Sequence, residues 1–147
     1  MNAGNKRTIL LVEDEPLIAM GESVTLEKGG YAVTIAKTGE NAIECVRDGS
    51  NIDLILMDID LGPGLDGAET ARIILHEKQI PVVFLSSRTE TAIVEKTEGI
   101  TSYGYITKNT DETVLLVSIK TAFSLFEARR GINGQSTRIA SNHEETT

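Results

Sequence analysis

The sequence has few cysteines, no long apolar runs and no excess of basic residues, as is usual for a globular protein. It contains one cysteine, Cys45, which excludes an intramolecular disulfide and a cysteine-based zinc site. No apolar run approaches the length of a membrane span. Basic residues are fewer than acidic residues, 14 against 22, and the formal charge of −8 disfavours nucleic acid and membranes as direct partners.

The N-terminus and the chain length limit the organisation further. Lys6 and Arg7 precede only a short apolar segment before three acidic residues at 13–15, which is unlike a signal peptide. The 147 residues, 40% of them hydrophobic, allow one domain with a real core. We therefore expect a cytoplasmic domain over residues 7–130. Residues 1–6 are then an N-terminal extension, and the polar, turn-rich residues 131–147 a flexible tail or the start of a linker.

Five short apolar segments predict the strands of a parallel sheet. Residues 54–57 and 82–85 form uninterrupted apolar runs, which is typical of strands that are covered on both faces. The predicted strands are 8–12, 31–36, 52–57, 81–85 and 104–107.

Segments with helical spacing alternate with these strands. Pro16 suits the first position of a helix, and Asp66 with Glu69 has the capping-box pattern. Asn109 with Glu112 repeats that pattern before a long helix that reaches about residue 130. The first helix carries one apolar stripe, made of Leu17, Met20, Gly21 and Val24. Five alternations of strand and helix predict right-handed βαβ units and a doubly wound α/β domain.

Charged and hydroxyl side chains follow the predicted strands. Ligands of an open parallel sheet bind beyond the carboxyl ends of its strands. Crowded carboxylates favour a bound cation, and an incomplete set of oxygen ligands favours Mg²⁺, which also takes phosphate oxygens. Each residue alone is more often a cap, a turn residue or a surface lysine, but their joint placement predicts a Mg²⁺ site that handles a phosphoryl group. The residues are Glu13, Asp14, Asp58, Asp60, Ser86, Arg88 and Lys108.

A family resemblance rests on this combination of residues. The segments LLVEDE (10–15), DLILMD (53–58) and LDG (65–67), together with Ser86 and Lys108, resemble the receiver domain of two-component response regulators, of the CheY-like superfamily. The resemblance covers about residues 7–130. It implies a flavodoxin-like fold, a single five-stranded parallel sheet of order 2-1-3-4-5 with five helices.

The resemblance also implies a role for each rim residue. Asp58 would accept a phosphoryl group from a histidine kinase or a phosphotransfer protein, as part of a phosphorelay. Glu13, Asp14, Asp58 and the backbone carbonyl of Asp60 would hold Mg²⁺. Lys108 would neutralise charge on the transferred group.

Two further residues match the family's conformational switch. Ser86 corresponds to the switch hydroxyl and Tyr105 to the switch aromatic, although Tyr105 also fits an ordinary half-buried strand tyrosine. The domain is thus expected to control a partner or an attached output domain, and to be no enzyme beyond phosphorylation and dephosphorylation of itself. Residues 102–109 with the long last helix resemble receivers that precede sensory domains in multidomain kinases.

The residue after Lys108 departs from the family pattern. The family usually has proline there, preceded by a cis peptide, whereas this chain has Asn109. A cis peptide without proline costs about 3–4 kcal/mol, so we predict a trans Lys108–Asn109 bond. Asn109 would then help to aim Lys108 by capping the last helix.

The loop after Asp58 is a second departure, because it is one residue longer than usual and has a glycine on each side of Pro63. This extra residue fits a tolerated surface insertion, and it also fits a reshaped lid over the site. Asp60 and Arg88 should both project over the rim. We predict that they form an ion pair that shields a phosphoaspartate from water.

The last helix predicts a partner surface. Its apolar residues cover an arc of about 200°, more than a helix on a sheet requires. The excess indicates an exposed strip for a homodimer or for docking of another domain, unless a neighbouring helix covers it. The strip comprises Val114, Leu116, Ile119, Phe123 and Phe126.

Three alternative functions remain open from the sequence. Asp58-Ile59-Asp60 imitates the motif of haloacid-dehalogenase-like phosphatases, although that motif normally follows the first strand. An FMN-binding flavodoxin is disfavoured because the acidic residues 13–15 would repel a phosphate. A degenerate receiver would be an interaction module that acts without phosphorylation, and the complete set of rim residues argues against it.

Overall fold

Five parallel strands alternate with five helices in the structure, a computed structural model that describes residues 6–87 and 90–139. For residue 90 and residues 132–139 it describes the backbone only. The strands are β1 (Thr8–Val12), β2 (Ala32–Ala36), β3 (Leu54–Asp58), β4 (Val82–Ser86) and β5 (Tyr105–Thr107). The helices are α1 (Pro16–Lys28), α2 (Gly39–Arg47), α3 (Gly67–Glu77), α4 (Glu90–Lys96) and α5 (Glu112–Ile139).

The sheet has the order β2-β1-β3-β4-β5, and every neighbouring pair is parallel. This confirms the predicted α/β fold and its strand order. Val12 lies opposite Met57, and Ser86 lies opposite Thr107. The strands therefore end at nearly the same level, and the residues that follow them share one edge of the sheet, which we call the carboxyl edge.

Alternate residues of the central strands pack into two separate cores, because successive side chains of a strand point to opposite faces. Leu10 and Val12 contact the cluster that α2 and α3 complete. Ile9 and Leu11 contact the cluster that α1 and α5 complete. Full burial of each such side chain contributes about 1.5–3 kcal/mol, so the two apolar layers hold the edge in place.

Local capping explains where the helices begin. Pro16 starts α1, as predicted. The Glu69 N–H donates to Asp66 Oδ1 over 2.8 Å and the Asp66 N–H donates to Glu69 Oε1 over 3.1 Å, which confirms the predicted capping box of α3.

The start of α5 corrects one prediction. The Thr110 N–H donates to the Thr107 carbonyl, so this segment forms a turn, and the Leu115 N–H donates to the carbonyl of Asp111. Asp111 therefore occupies the cap position, and the prediction that Asn109 caps the helix is wrong. The described residues contain no cis peptide, so the predicted trans Lys108–Asn109 bond is confirmed.

The end of α5 is a second correction. The helix continues to Ile139, whereas its predicted end is near residue 130. Glycines at 131 and 134 disfavour a helix by about 1 kcal/mol each relative to alanine, but they do not prohibit one. A role of residues 131–147 as a linker stays a prediction, and residues 1–5 and 140–147 lie outside the described residues. No helix within the described part of the chain has the length and apolarity that crossing a membrane requires.

Candidate metal centre at the carboxyl edge

Three carboxylates meet at the carboxyl edge. Glu13 and Asp14 follow β1, and Asp58 is the last residue of β3. One oxygen of each carboxylate lies within 4.8 Å of the others. Glu13 and Asp58 are 1% and 0% exposed, whereas Asp14 is partly exposed. The sequence prediction that these residues converge agrees with this geometry.

Lys108 provides the positive charge of the cluster. Its Nζ donates to Asp58 Oδ2 over 2.9 Å and lies 3.2 Å from Glu13 Oε1. Burial opposes the charge of Lys108, but the hydrogen bond to Asp58 and the charges of Asp58 and Glu13 raise its pKa. The ammonium therefore stays charged and contacts two of the three carboxylates, Glu13 and Asp58.

Burial and the neighbouring negative charge shift the pKa of Glu13. Burial raises that pKa to about 7, and the neighbouring charge of Asp58 raises it as well. Glu13 Oε1 is buried and accepts no well-directed hydrogen bond, although Lys108 Nζ is near. Oxygen donors that are crowded, buried and incompletely paired fit a hard divalent cation such as Mg²⁺.

Ser86 is connected to Asp58 through Asp60. The buried Ser86 hydroxyl donates to Asp60 Oδ2 over 3.2 Å, and the Asp60 N–H donates to Asp58 Oδ1 over 2.9 Å. Arg88 lies outside the described residues, so its predicted ion pair with Asp60 stays a prediction. The role of the Asp60 carbonyl as a metal ligand likewise stays a prediction.

Tyr105 lies on the edge strand and faces α4. Its ring stacks on Phe84 with centroids 5.9 Å apart, and its hydroxyl lies 3.1 Å from Thr97 Oγ1. The side chain is half exposed. Tyr105 is thus in contact with the residue that follows α4, and its part in a switch is a prediction.

The predicted partner strip on α5 needs correction at two positions. Ile119 and Phe123 are 0% and 6% exposed, because both pack into the core cluster between α5 and the sheet. Val114 is exposed, and Leu116 and Phe126 are partly buried. The exposed apolar residues of α5 also include Val117 and Leu125. A partner role of this surface remains a prediction.

Sequence reasoning missed Glu22. It lies on α1 with a buried carboxylate oxygen that has no hydrogen-bond partner. Burial raises its pKa to about 7, with a further contribution from the charge of Glu13. Glu22 follows Ala19 by three positions and precedes Leu26 by four, and both of these are buried. That spacing places an acidic residue on the inner face of the helix, and the sequence carries this signal.

Comparison with known proteins agrees with the fold and identifies the family of the chain. The model of the response regulator receiver domain family matches residues 9–120, and the chain belongs to this family. The N-terminal domain of a response regulator/sensory box/GGDEF 3-domain protein from Carboxydothermus hydrogenoformans has 47% sequence identity and a TM-score of 0.79. That match covers 84% of this chain and 98% of the other chain.

Curated relatives are longer than this chain. The transcriptional regulatory protein CseB of Streptomyces avermitilis is 32% identical over 133 residues, which are 90% of this chain and 56% of that protein. The uncharacterized transcriptional regulatory protein YrkP of Bacillus subtilis is 38% identical over 109 residues, 73% of this chain and 45% of that protein. The chain thus spans about half the length of these relatives. It is a receiver domain of two-component signalling, a regulatory module, and the phosphatase and flavodoxin alternatives are set aside.

Proposed function

We propose that this receiver domain accepts a phosphoryl group on Asp58 from a phosphohistidine of a histidine kinase or phosphotransfer protein. The observation that carries the proposal is the surroundings of Asp58. Its carboxylate is buried at the end of β3, lies near the carboxylates of Glu13 and Asp14, and accepts a hydrogen bond from Lys108 Nζ over 2.9 Å.

The residues present support a direct displacement. A carboxylate oxygen of Asp58 attacks the phosphorus, the bond from phosphorus to the donor nitrogen breaks, and the imidazole leaves. Glu13, Asp14 and Asp58 would hold Mg²⁺, which supplies positive charge to the phosphoryl oxygens when bound. Lys108 balances the charge that Asp58 and the transferred group carry. The Asp60 N–H holds Asp58 Oδ1.

We propose that Ser86 and Tyr105 transmit the phosphorylated state of Asp58 to other parts of the domain. The Ser86 hydroxyl would exchange its bond to Asp60 for one to a phosphoryl oxygen. Tyr105 contacts Thr97 near the end of α4, so a rearrangement of β4 and α4 would change its packing. This supports a route from the carboxyl edge to the surface around α4 and β5.

The phosphodonor protein would dock on α1. The apolar stripe of this helix faces outward, and Leu17 and Met20 are 81% and 60% exposed. Met20 and Val24 line a shallow cleft that also contains Asp14 of the carboxylate cluster. An apolar patch beside the acceptor gives a partner helix a place to bind while its histidine reaches Asp58.

The output would be set by what the domain contacts or is joined to. The curated relatives are named transcriptional regulatory proteins, and the similar solved domain belongs to a sensory box/GGDEF protein. One receiver architecture therefore accompanies different outputs. We propose regulation through an attached or separate partner, with the receiver itself making no contact with nucleic acid.

The experiment is labelling with Mg²⁺ and a small acyl phosphate, followed by intact mass spectrometry. Wild type should gain one phosphoryl group per chain and then stop, while Asp58→Asn should gain none. Asp53→Asn is the matched control, because Asp53 precedes the same strand at its opposite end and accepts a hydrogen bond from the Thr8 N–H. Labelling of Asp58→Asn at the wild-type level would refute the proposal. An unlabelled, folded wild type would instead favour the degenerate receiver.

A further inference from the structure

The loop between β3 and α3 contacts two carboxylates. The Gly62 N–H donates to Asp14 Oδ2 over 3.0 Å, and the Leu65 N–H donates to Glu40 Oε2 over 3.3 Å. Asp14 belongs to the carboxylate cluster, and Glu40 lies in the first turn of α2. The longer loop predicted from the sequence is therefore attached at one point to the candidate metal centre.

At position 62 a side chain is restricted by this contact and not by the backbone conformation. A Cβ at position 62 would lie 2.8 Å from Asp14 Oδ2, closer than real Cβ atoms approach an oxygen. Gly62 is not one of the glycines with positive φ, so alanine fits its backbone. Substitution by alanine must therefore displace either the loop or the Asp14 carboxylate.

Asp14 is the carboxylate that most needs an orienting partner. Glu13 and Asp58 are buried and face Lys108, whereas Asp14 is partly exposed. A partly exposed side chain samples several rotamers, and a cation that binds it must fix one of them. A hydrogen bond from a backbone amide restricts these rotamers beforehand. Less conformational entropy is then lost when the cation binds.

We propose that the Gly62 N–H is a positioning group, which orients the Asp14 carboxylate for Mg²⁺ and couples the loop to occupancy of the site. This inference rests on the Mg²⁺ site of the proposed function. It favours the lid interpretation of the longer loop over a tolerated insertion. Removal of a group that orients a metal ligand typically weakens metal binding 10- to 100-fold.

The test is calorimetric titration of Mg²⁺ into the unphosphorylated full chain. Gly62→Ala should weaken Mg²⁺ binding by about 10-fold while the thermal midpoint changes little. Gly49→Ala is the control for a glycine substitution, since Gly49 has a φ of +89° and open space around a Cβ. It should lower the midpoint and leave Mg²⁺ affinity as in wild type.

A second measurement does not depend on the folding of Gly62→Ala. In amide NMR spectra, Asp14→Asn should shift the Gly62 amide proton, which loses its charged acceptor, and should leave the Gly49 amide unchanged. Wild-type Mg²⁺ affinity in Gly62→Ala, or an unchanged Gly62 resonance in Asp14→Asn, would overturn the inference. If wild type itself neither binds Mg²⁺ nor becomes labelled, the proposed function has failed, which is a different result.

Discussion

The two edges of the sheet differ in charge and in how far that charge is compensated. At the carboxyl edge three carboxylates lie close together, and two of them, Glu13 and Asp58, contact the ammonium of Lys108. At the opposite edge a cleft of about 350 Å³ lies between α3, the segment before β5, and α5. The titratable side chains of that cleft are Arg72, His76, Tyr103, Arg129 and Arg130.

This cleft is the less reactive place, because two of its cations, Arg72 and Arg129, already have hydrogen-bond partners. Arg72 donates to the carbonyls of Lys96 and Glu98, and Arg129 donates to the Tyr103 hydroxyl. At the carboxyl edge, by contrast, burial and the neighbouring charge of Asp58 raise the pKa of Glu13 to about 7. Crowded carboxylates and the raised pKa of one of them therefore mark the carboxyl edge as the place of chemistry.

Removing the ammonium that contacts Asp58 and Glu13 should have the largest effect. Lys108→Ala leaves the charge on Asp58 and the transferred phosphoryl group unbalanced, and labelling by an acyl phosphate should slow by about 100-fold. Lys120→Ala removes an equal charge from an exposed position of α5 and is the control. Equal labelling rates for the two variants would mean that the charge of Lys108 plays no part.

Neutralising Glu22 should have an intermediate effect on stability. Because its folded pKa of about 7 exceeds the unfolded value of 4.5, the folded state keeps the proton as pH rises and the unfolded state loses it. The free energy of unfolding therefore falls between pH 4.5 and about 7. In urea titrations, Glu22→Gln should remove about 1–2 kcal/mol of that fall. The effect is smaller than the full pKa shift implies, because the side chain is partly exposed.

Glu27→Gln provides the reference for the Glu22 experiment. Glu27 is an exposed residue of the same helix, so its loss alters net charge without changing a buried carboxylate. The pH dependence of Glu27→Gln should follow that of wild type. If the pH dependence of Glu22→Gln also matches that of wild type, the pKa of Glu22 is not raised in the folded state.

Loss of a cation at the opposite edge should have the smallest effect and should be structural only. Arg72→Ala removes two hydrogen bonds to the residues that end α4, and the free energy of unfolding should fall by about 1 kcal/mol. Phosphoryl labelling should keep its wild-type rate. A slower labelling rate in a folded Arg72→Ala protein would show that the two edges are coupled, which would contradict the difference described between them.

The sheet could be predicted because its central strands are buried on both faces. Residues 54–57 and 82–85 form uninterrupted apolar runs, as strands covered on both faces require. The acidic and basic residues that follow parallel strands then lie at one edge of the sheet, because the strands run in the same direction. That Asp58 and Lys108 lie at the same edge follows from that rule, whereas their pairing is what the family resemblance implies.

Helix faces were harder to predict, because apolar residues occur on both sides of α1 and α5. The inner face of α1 includes the small Ala19 and the polar Glu22, so the larger stripe of Leu17 and Met20 faces outward. On α5 the burial of Phe123 depends on its stacking against Tyr31, a contact between distant segments that helical spacing does not contain. The Gly62–Asp14 bond is likewise a product of tertiary folding.

The most direct test of the account locates the phosphoryl group by peptide mass spectrometry after brief labelling, with Mg²⁺ and with a chelator. We expect a single acyl phosphate on the peptide that contains Asp58, formed with Mg²⁺ and nearly absent with the chelator. A phosphoryl group on another residue, or equal labelling of Asp58 under both conditions, would contradict it.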